Sequence, residues 1–181
     1  IEYKPGAGGN IAADAVARMK GDGHQFLMTG SSTQAANVSL YKTLPFDPEK
    51  DFAPIASMAT VPYILVVNPA RVPVSTFQEF VAFVKSRPGQ LSYASSAITG
   101  RLAGEILKQR MGLQATFVPY KTLAQVVSDI IGGHLDYAFG DPQGYLPHVH
   151  SGRLRAIAVT TRARIAAASD IPTLAESGVA D

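Results

Sequence analysis

Lys4-Pro5-Gly6-Ala7-Gly8-Gly9-Asn10 places three glycines in four positions immediately before an apolar helical pattern. Glycine leaves main-chain N–H groups unshielded, and a helix start adds the positive end of its dipole, so this run suits a carboxylate or a phosphate. The same residues also suit a tight turn with no ligand. A dinucleotide motif would need a small residue where Ile11 stands, and no Lys-Ser/Thr pair follows to make a phosphate loop. Two further loops offer hydroxyls where a strand pattern gives way to a helix pattern: Ser31, Ser32 and Thr33, then Ser95, Ser96 and Thr99. Each hydroxyl could hold a ligand or cap the helix that follows. Asp141, before Pro142, could accept from a ligand amine, fix a hinge or serve as a turn residue.

Catalytic and metal constellations are missing from the pattern. There is no Gly-x-Ser-x-Gly elbow and no cysteine nucleophile, and no paired carboxylates stand near a histidine in these loops. His148-x-His150 lacks a third ligand nearby, so no metal and no cofactor is expected. The reading is of a binding protein, not an enzyme.

The elements that must position these loops follow from periodicity. Ile11, Ala15 and Met19 mark a first helix ending near Gly21-Asp22-Gly23, and short strands are expected at 26–29 and 55–59, with a helix over 34–41 between them. From Pro62 onward strand and helix alternate, which argues for crossover units and a mostly parallel sheet. Strands are expected at 63–67, 91–95, 116–118, 137–139 and 156–160. Phe77, Phe80, Val81 and Val84 share one helical face, with Ser75 and Gln78 spaced as a capping box. Two more helices run from about Leu102 to Met111 and from Leu123 to Ile131, closed by Gly112 and by Gly132-Gly133.

The 181 residues are enough for one domain or two small lobes, and 46% hydrophobic against 17% charged residues describes an ordinary globule. A net charge of +2 with scattered Lys and Arg argues against a nucleic-acid partner. Without cysteine, redox compartment is undetermined, and no apolar run approaches the ~20 residues that span a bilayer. No signal peptide opens the chain, which leaves it cytoplasmic, processed or truncated.

Several stretches, in order, resemble the substrate-binding receptors of tripartite tricarboxylate transporters, the Bug or TctC family. They include the glycine run, Leu40-Tyr41-x-x-Leu44-Pro45-Phe46-Asp47, Leu65-Val66-Val67-Asn68-Pro69, Val118-Pro119-Tyr120-Lys121, Gly152-x-Leu154-Arg155-Ala156 and Ile171-Pro172-Thr173. The resemblance covers essentially the whole chain. It implies an α/β fold of the periplasmic-binding-protein type II kind, with two mostly parallel lobes that close on a small carboxylate and deliver it to membrane permease subunits from the periplasm. It further implies a first lobe of residues 1–60 plus 156–181 and a second of 61–155, the first incomplete because the chain starts at the family's second strand. Such a lobe would expose a sheet edge, so a homo-dimer through it is expected. Two other readings stand beside this one: a Rossmann-like nucleotide-binding enzyme using the Gly6 to Asn10 loop, and an interaction fragment without a small ligand. Under the receptor reading the expected ligand contacts are Ser31, Ser32, Thr33, Ser95, Ser96, Thr99 and Asp141.

Overall fold

The computed structural model describes residues 1–179, which form two compact units divided between Ala59 and Thr60. In the first unit the glycine run makes a 3-10 turn at Ala7–Gly9 that leads into helix α1 (Asn10–Ala17). A π-helical stretch, Ser32–Ala36, continues into helix α2 (Asn37–Leu40). Gly6, Gly8 and Gly9 all take positive φ, as a tight turn of this kind requires. Gly9 has a second reason: a Cβ there would stand 2.2 Å from Thr33 Oγ1. Phe46 and Phe52 meet edge to face at 5.7 Å within the 46–52 segment.

The second unit is a five-stranded sheet built from β1 (Ile64–Val67), β2 (Leu91–Ser95), β3 (Ala115–Pro119), β4 (Tyr137–Gly140) and β5 (Arg155–Val159). Their order across the sheet is β3-β2-β4-β1-β5. β2 pairs in parallel with β3 and β4, whereas β1 runs antiparallel to both of its neighbours, β4 and β5. The sheet is therefore mixed rather than mostly parallel: two of its four pairings are parallel and two antiparallel, with β1 the reversed strand. That reversal carries the start of β1 to the carboxyl ends of β4 and β5.

Helices α3 (Phe77–Lys85) and α4 (Ile98–Met111) carry the residues that pack on one face with Leu65, Val67, Tyr93, Tyr137 and Phe139. Helices α5 (Leu123–Ile131) and α6 (Pro142–His150) pack on the other with Ile64, Val66, Ala94 and Ala138. Because both faces are covered, β1 and β4 are buried at every position and read as continuous apolar runs. The rings of Tyr93 and Tyr137 stack at 5.3 Å, and Phe80 meets Tyr137 edge-on at 5.0 Å. Burying a side chain such as Phe80 contributes about 2–3 kcal/mol.

Several sequence expectations are corrected here. Residues 26–29 and 55–59 form no strand and pair with nothing; Phe26, Met28, Ile55 and Met58 are exposed. Apolar character alone does not make a strand, since a ladder needs a partner. Residues 34–41 are divided between the π-helical stretch and α2 rather than forming one regular helix. The capping box of α3 is Thr76 with Glu79, one residue on from Ser75 and Gln78. Helix α6 is an addition to the expected elements; it begins with Pro142 in its first turn, where the missing N–H costs little, and carries Gly144 and Pro147, both poor helix formers. Residues 156–179 cluster with the second unit rather than the first. β5 pairs with β1 along Ile64↔Val159 to Val67↔Arg155, and Val159 exchanges backbone bonds with Pro172 and Leu174.

Candidate functional site

Sheet polarity determines which candidate residues meet. The carboxyl ends of β2 and β4 lie side by side, since Ala94 pairs with Ala138, so the 95–99 loop and Asp141 leave from the same edge. The antiparallel β1 adds Tyr63 to that edge, where its carbonyl accepts from Thr160 N–H at 2.9 Å and its own N–H donates to Thr160 Oγ1 at 3.0 Å. Ser95, Ser96, Thr99 and Asp141 are thus joined by two residues the sequence did not single out, Tyr63 and Thr160. The signal for them lies only in strand direction.

The start of α4 is the electropositive feature of this rim. Its N-cap position is Ala97, in extended conformation, and no side chain caps the helix. Ser95 Oγ accepts the Ala97 N–H at 3.2 Å, one residue too early to serve the first turn. The N–H groups of Ile98, Thr99 and Gly100 have no partner within the helix by its geometry and remain as donors at the positive end of the dipole. Thr99 Oγ1 and Tyr63 Oη share a hydrogen bond at 2.5 Å, and whichever hydroxyl accepts keeps its own proton for another acceptor. Ser96 is half-buried beside them. Gly100 lets the helix start approach this closely, since a Cβ there would stand 2.1 Å from Ser95 Oγ and 3.0 Å from the Phe139 carbonyl.

Asp141 has the capping role: its Oδ1 accepts the Gln143 N–H at 2.9 Å and closes the start of α6. Over the same strand end, Tyr145 packs against Gly140, and its buried hydroxyl finds no hydrogen-bond partner among the described residues. Burial pushes that phenol well above its ordinary pKa. Tyr120, just beyond β3, donates to Asp129 Oδ2 at 2.5 Å, and the bond raises its pKa to about 12.

Ser31, Ser32 and Thr33 lie in the first unit, near the glycine run. Thr33 Oγ1 donates to the Gly8 carbonyl at 2.9 Å, so it holds the loop rather than standing free, while Ser31 is exposed and Ser32 half-buried. Asn37, which sequence reasoning missed, is fully buried and donates from Nδ2 to Gly8 O at 3.0 Å and to Asn10 Oδ1 at 2.6 Å. The start of α1 likewise lacks a side-chain cap. A Rossmann-like unit needs a strand leading into the glycine run, and residues 1–5 form none. Among the described residues no group of three or more acidic or histidine side chains gathers to hold a metal, and no helix is long and apolar enough to cross a membrane.

Comparison with known proteins shows the family and the fold. A UPF0065 protein of Bordetella bronchiseptica is 35% identical over 177 residues, covering 98% of this chain and 52% of its own length. A solved structure described as a periplasmic transporter superposes with a TM-score of 0.83 at 37% identity, over 98% of this chain and 60% of that one. R. palustris Rpa4515, solved with adipate, gives a TM-score of 0.82 at 35% identity, over 94% of this chain and 57% of that one. The chain therefore spans little more than half the length of these relatives. The family model described as tripartite tricarboxylate transporter family receptor matches residues 1–181, and the chain belongs to that family of receptors, the TctC family.

Proposed function

We propose that the strand-end rim of the second unit takes a carboxylate of a small solute, and that the chain serves a periplasmic receptor handing that solute to the membrane permease of a tripartite transporter. The observation that carries the reading is the uncapped start of α4, backed by Ser96 and by the hydrogen-bonded hydroxyls of Thr99 and Tyr63, one of which keeps a proton to donate. Backbone N–H groups and neutral hydroxyls give a carboxylate charge-assisted bonds in a fixed arrangement. The adipate in the structure of Rpa4515 supports an acid of this class. Of the residues expected from sequence, Ser96 and Thr99 are proposed as solute contacts, with Ser95 shaping its own loop and Asp141 fixing α6. Ser31 and Ser32 are a separate proposal within the first unit, as polar contacts offered by the loop that Thr33 holds.

Calorimetric titration against dicarboxylates including adipate, tricarboxylates, amino acids and aromatic acids tests the proposal. Binding by one class is expected, and Tyr63→Phe should weaken it by about tenfold, the loss of one hydrogen bond to a charged group. Silence across the panel would sink the receptor reading for this chain.

A further inference from the structure

At the edge of the sheet opposite the rim, a groove of about 460 Å³ is lined by Arg71, Arg87, Phe83, Pro73, Leu91 and Asp136, among others. Neither arginine is used by the proposed carboxylate site. Arg71 is held from two sides. Its backbone belongs to a turn locked by buried Asn68, whose Nδ2 donates to Ile130 O at 2.7 Å and whose Oδ1 accepts the Ala70 N–H at 2.9 Å. Its Nε donates to Asp136 Oδ1 at 2.9 Å, and Asp136 is itself anchored on the Ser92 N–H and hydroxyl through Oδ2. The side chain nonetheless stays half exposed, at 51%, against 4% for Asp136. Its two terminal nitrogens make no hydrogen bond among the described residues. The Arg87 guanidinium lies 3.9 Å from the centre of the Phe83 ring and, among the described residues, hydrogen-bonds only Ser86 Oγ, at 3.2 Å.

Two oriented guanidiniums thus face one groove whose only carboxylate is the buried Asp136, leaving an excess of positive charge. We infer that this groove is a second, separate oxyanion site, in which a carboxylate or phosphate group bridges Arg71 and Arg87. Arginine suits the task because its planar fork meets two anion oxygens at once, and here the cost of ordering it is already met by Asp136 and by the Phe83 ring. The oxyanion can come from a free solute or from an acidic side chain on a protein partner, and the two are separable.

The test follows the Nε–H resonances of Arg71 and Arg87 in the isotopically labelled chain during titration with inorganic phosphate and, separately, with an acetylated, amidated triglutamate peptide. Both resonances should shift with at least one probe, and Arg87→Gln should weaken that binding by at least about fivefold. Arg87 is exposed on its ring, so the variant folds, which its unchanged thermal transition would verify. Tighter binding of the peptide identifies a partner's acidic segment; equal or tighter binding of phosphate identifies a free anion. No shift with either probe, or a shift that Arg87→Gln leaves unaltered, overturns the inference. Amide resonances of residues 98–100 report the rim independently, so failure at one site is distinguishable from failure at the other.

Discussion

At the residue scale, Gly100 and the tyrosines carry the sharpest consequences. Gly100 is buried against Ser95 and the Phe139 carbonyl, and backbone cannot yield as a flexible side chain would. Gly100→Ala should cost about 1–3 kcal/mol in urea unfolding and displace the N–H donors of α4, weakening solute binding at the same time. Unchanged affinity in that variant would show that the helix start is not the anchor. Tyr93, Tyr137 and Tyr145 have phenol pKa values raised above the ordinary 10.0 chiefly by burial, with Glu105 adding to the effect at Tyr93 and Tyr137. Tyr120 is raised to about 12 chiefly by its bond to Asp129. A phenol whose folded value exceeds its unfolded value contributes stability that is complete below the unfolded pKa and lost as pH rises above it. Unfolding free energy should therefore decline from about pH 10 upward, with tyrosinate absorbance lagging behind that of the unfolded chain. Ionisation of all seven tyrosines together near the ordinary value, with the fold intact, would contradict this.

At the element scale, α3 is the most locally determined helix. Thr76 Oγ1 accepts the Glu79 N–H at 3.2 Å, and Glu79 Oε2 accepts the N–H groups of Ser75 and Thr76, which lowers its pKa. Thr76→Ala should remove about 1 kcal/mol, read as a lower melting temperature, whereas Gln78→Ala should be close to neutral at the cap. Equal effects of the two would place the box where the spacing of Ser75 and Gln78 suggested. Helix α4 shows the opposite design: it lacks a side-chain cap at its start, which leaves its first N–H donors open, and is closed at its end by Gly112 in the left-handed region. Helix α5, capped by Thr122, has no such vacancy.

At the scale of the whole molecule, the two units differ in how their backbone is held. Among the described residues every strand belongs to the second unit, while the first contains 3-10, π and α turns joined by stretches such as 20–29 and 52–59 that form no helix or strand. Backbone without ladder or helix bonds opens at little cost, so proteases should cut there first. Limited proteolysis followed by intact mass measurement is expected to yield a resistant product beginning near residue 60. Early cleavage inside 64–159 would show that the sheet unit is not the more stable one.

Much of the second unit is legible in sequence because its rules are local. Apolar periodicity places α3, α4 and α5 to within a few residues, continuous apolar runs mark β1 and β4 as doubly covered, and glycines close α4 and α5. The three glycines of the first loop announce positive φ from their type alone. Local rules could not say that β1 runs against its neighbours, that β5 joins it, or that 26–29 and 55–59 find no partner, because pairing is a choice among distant segments. For the same reason the hydroxyl loops were readable as candidates but not as a site. Only the reversed β1 brings Tyr63 onto Thr99, and only the β2–β4 pairing sets the 95–99 loop beside Asp141. Residue types determined what chemistry was available, and strand direction decided which of those groups meet at one rim of the sheet.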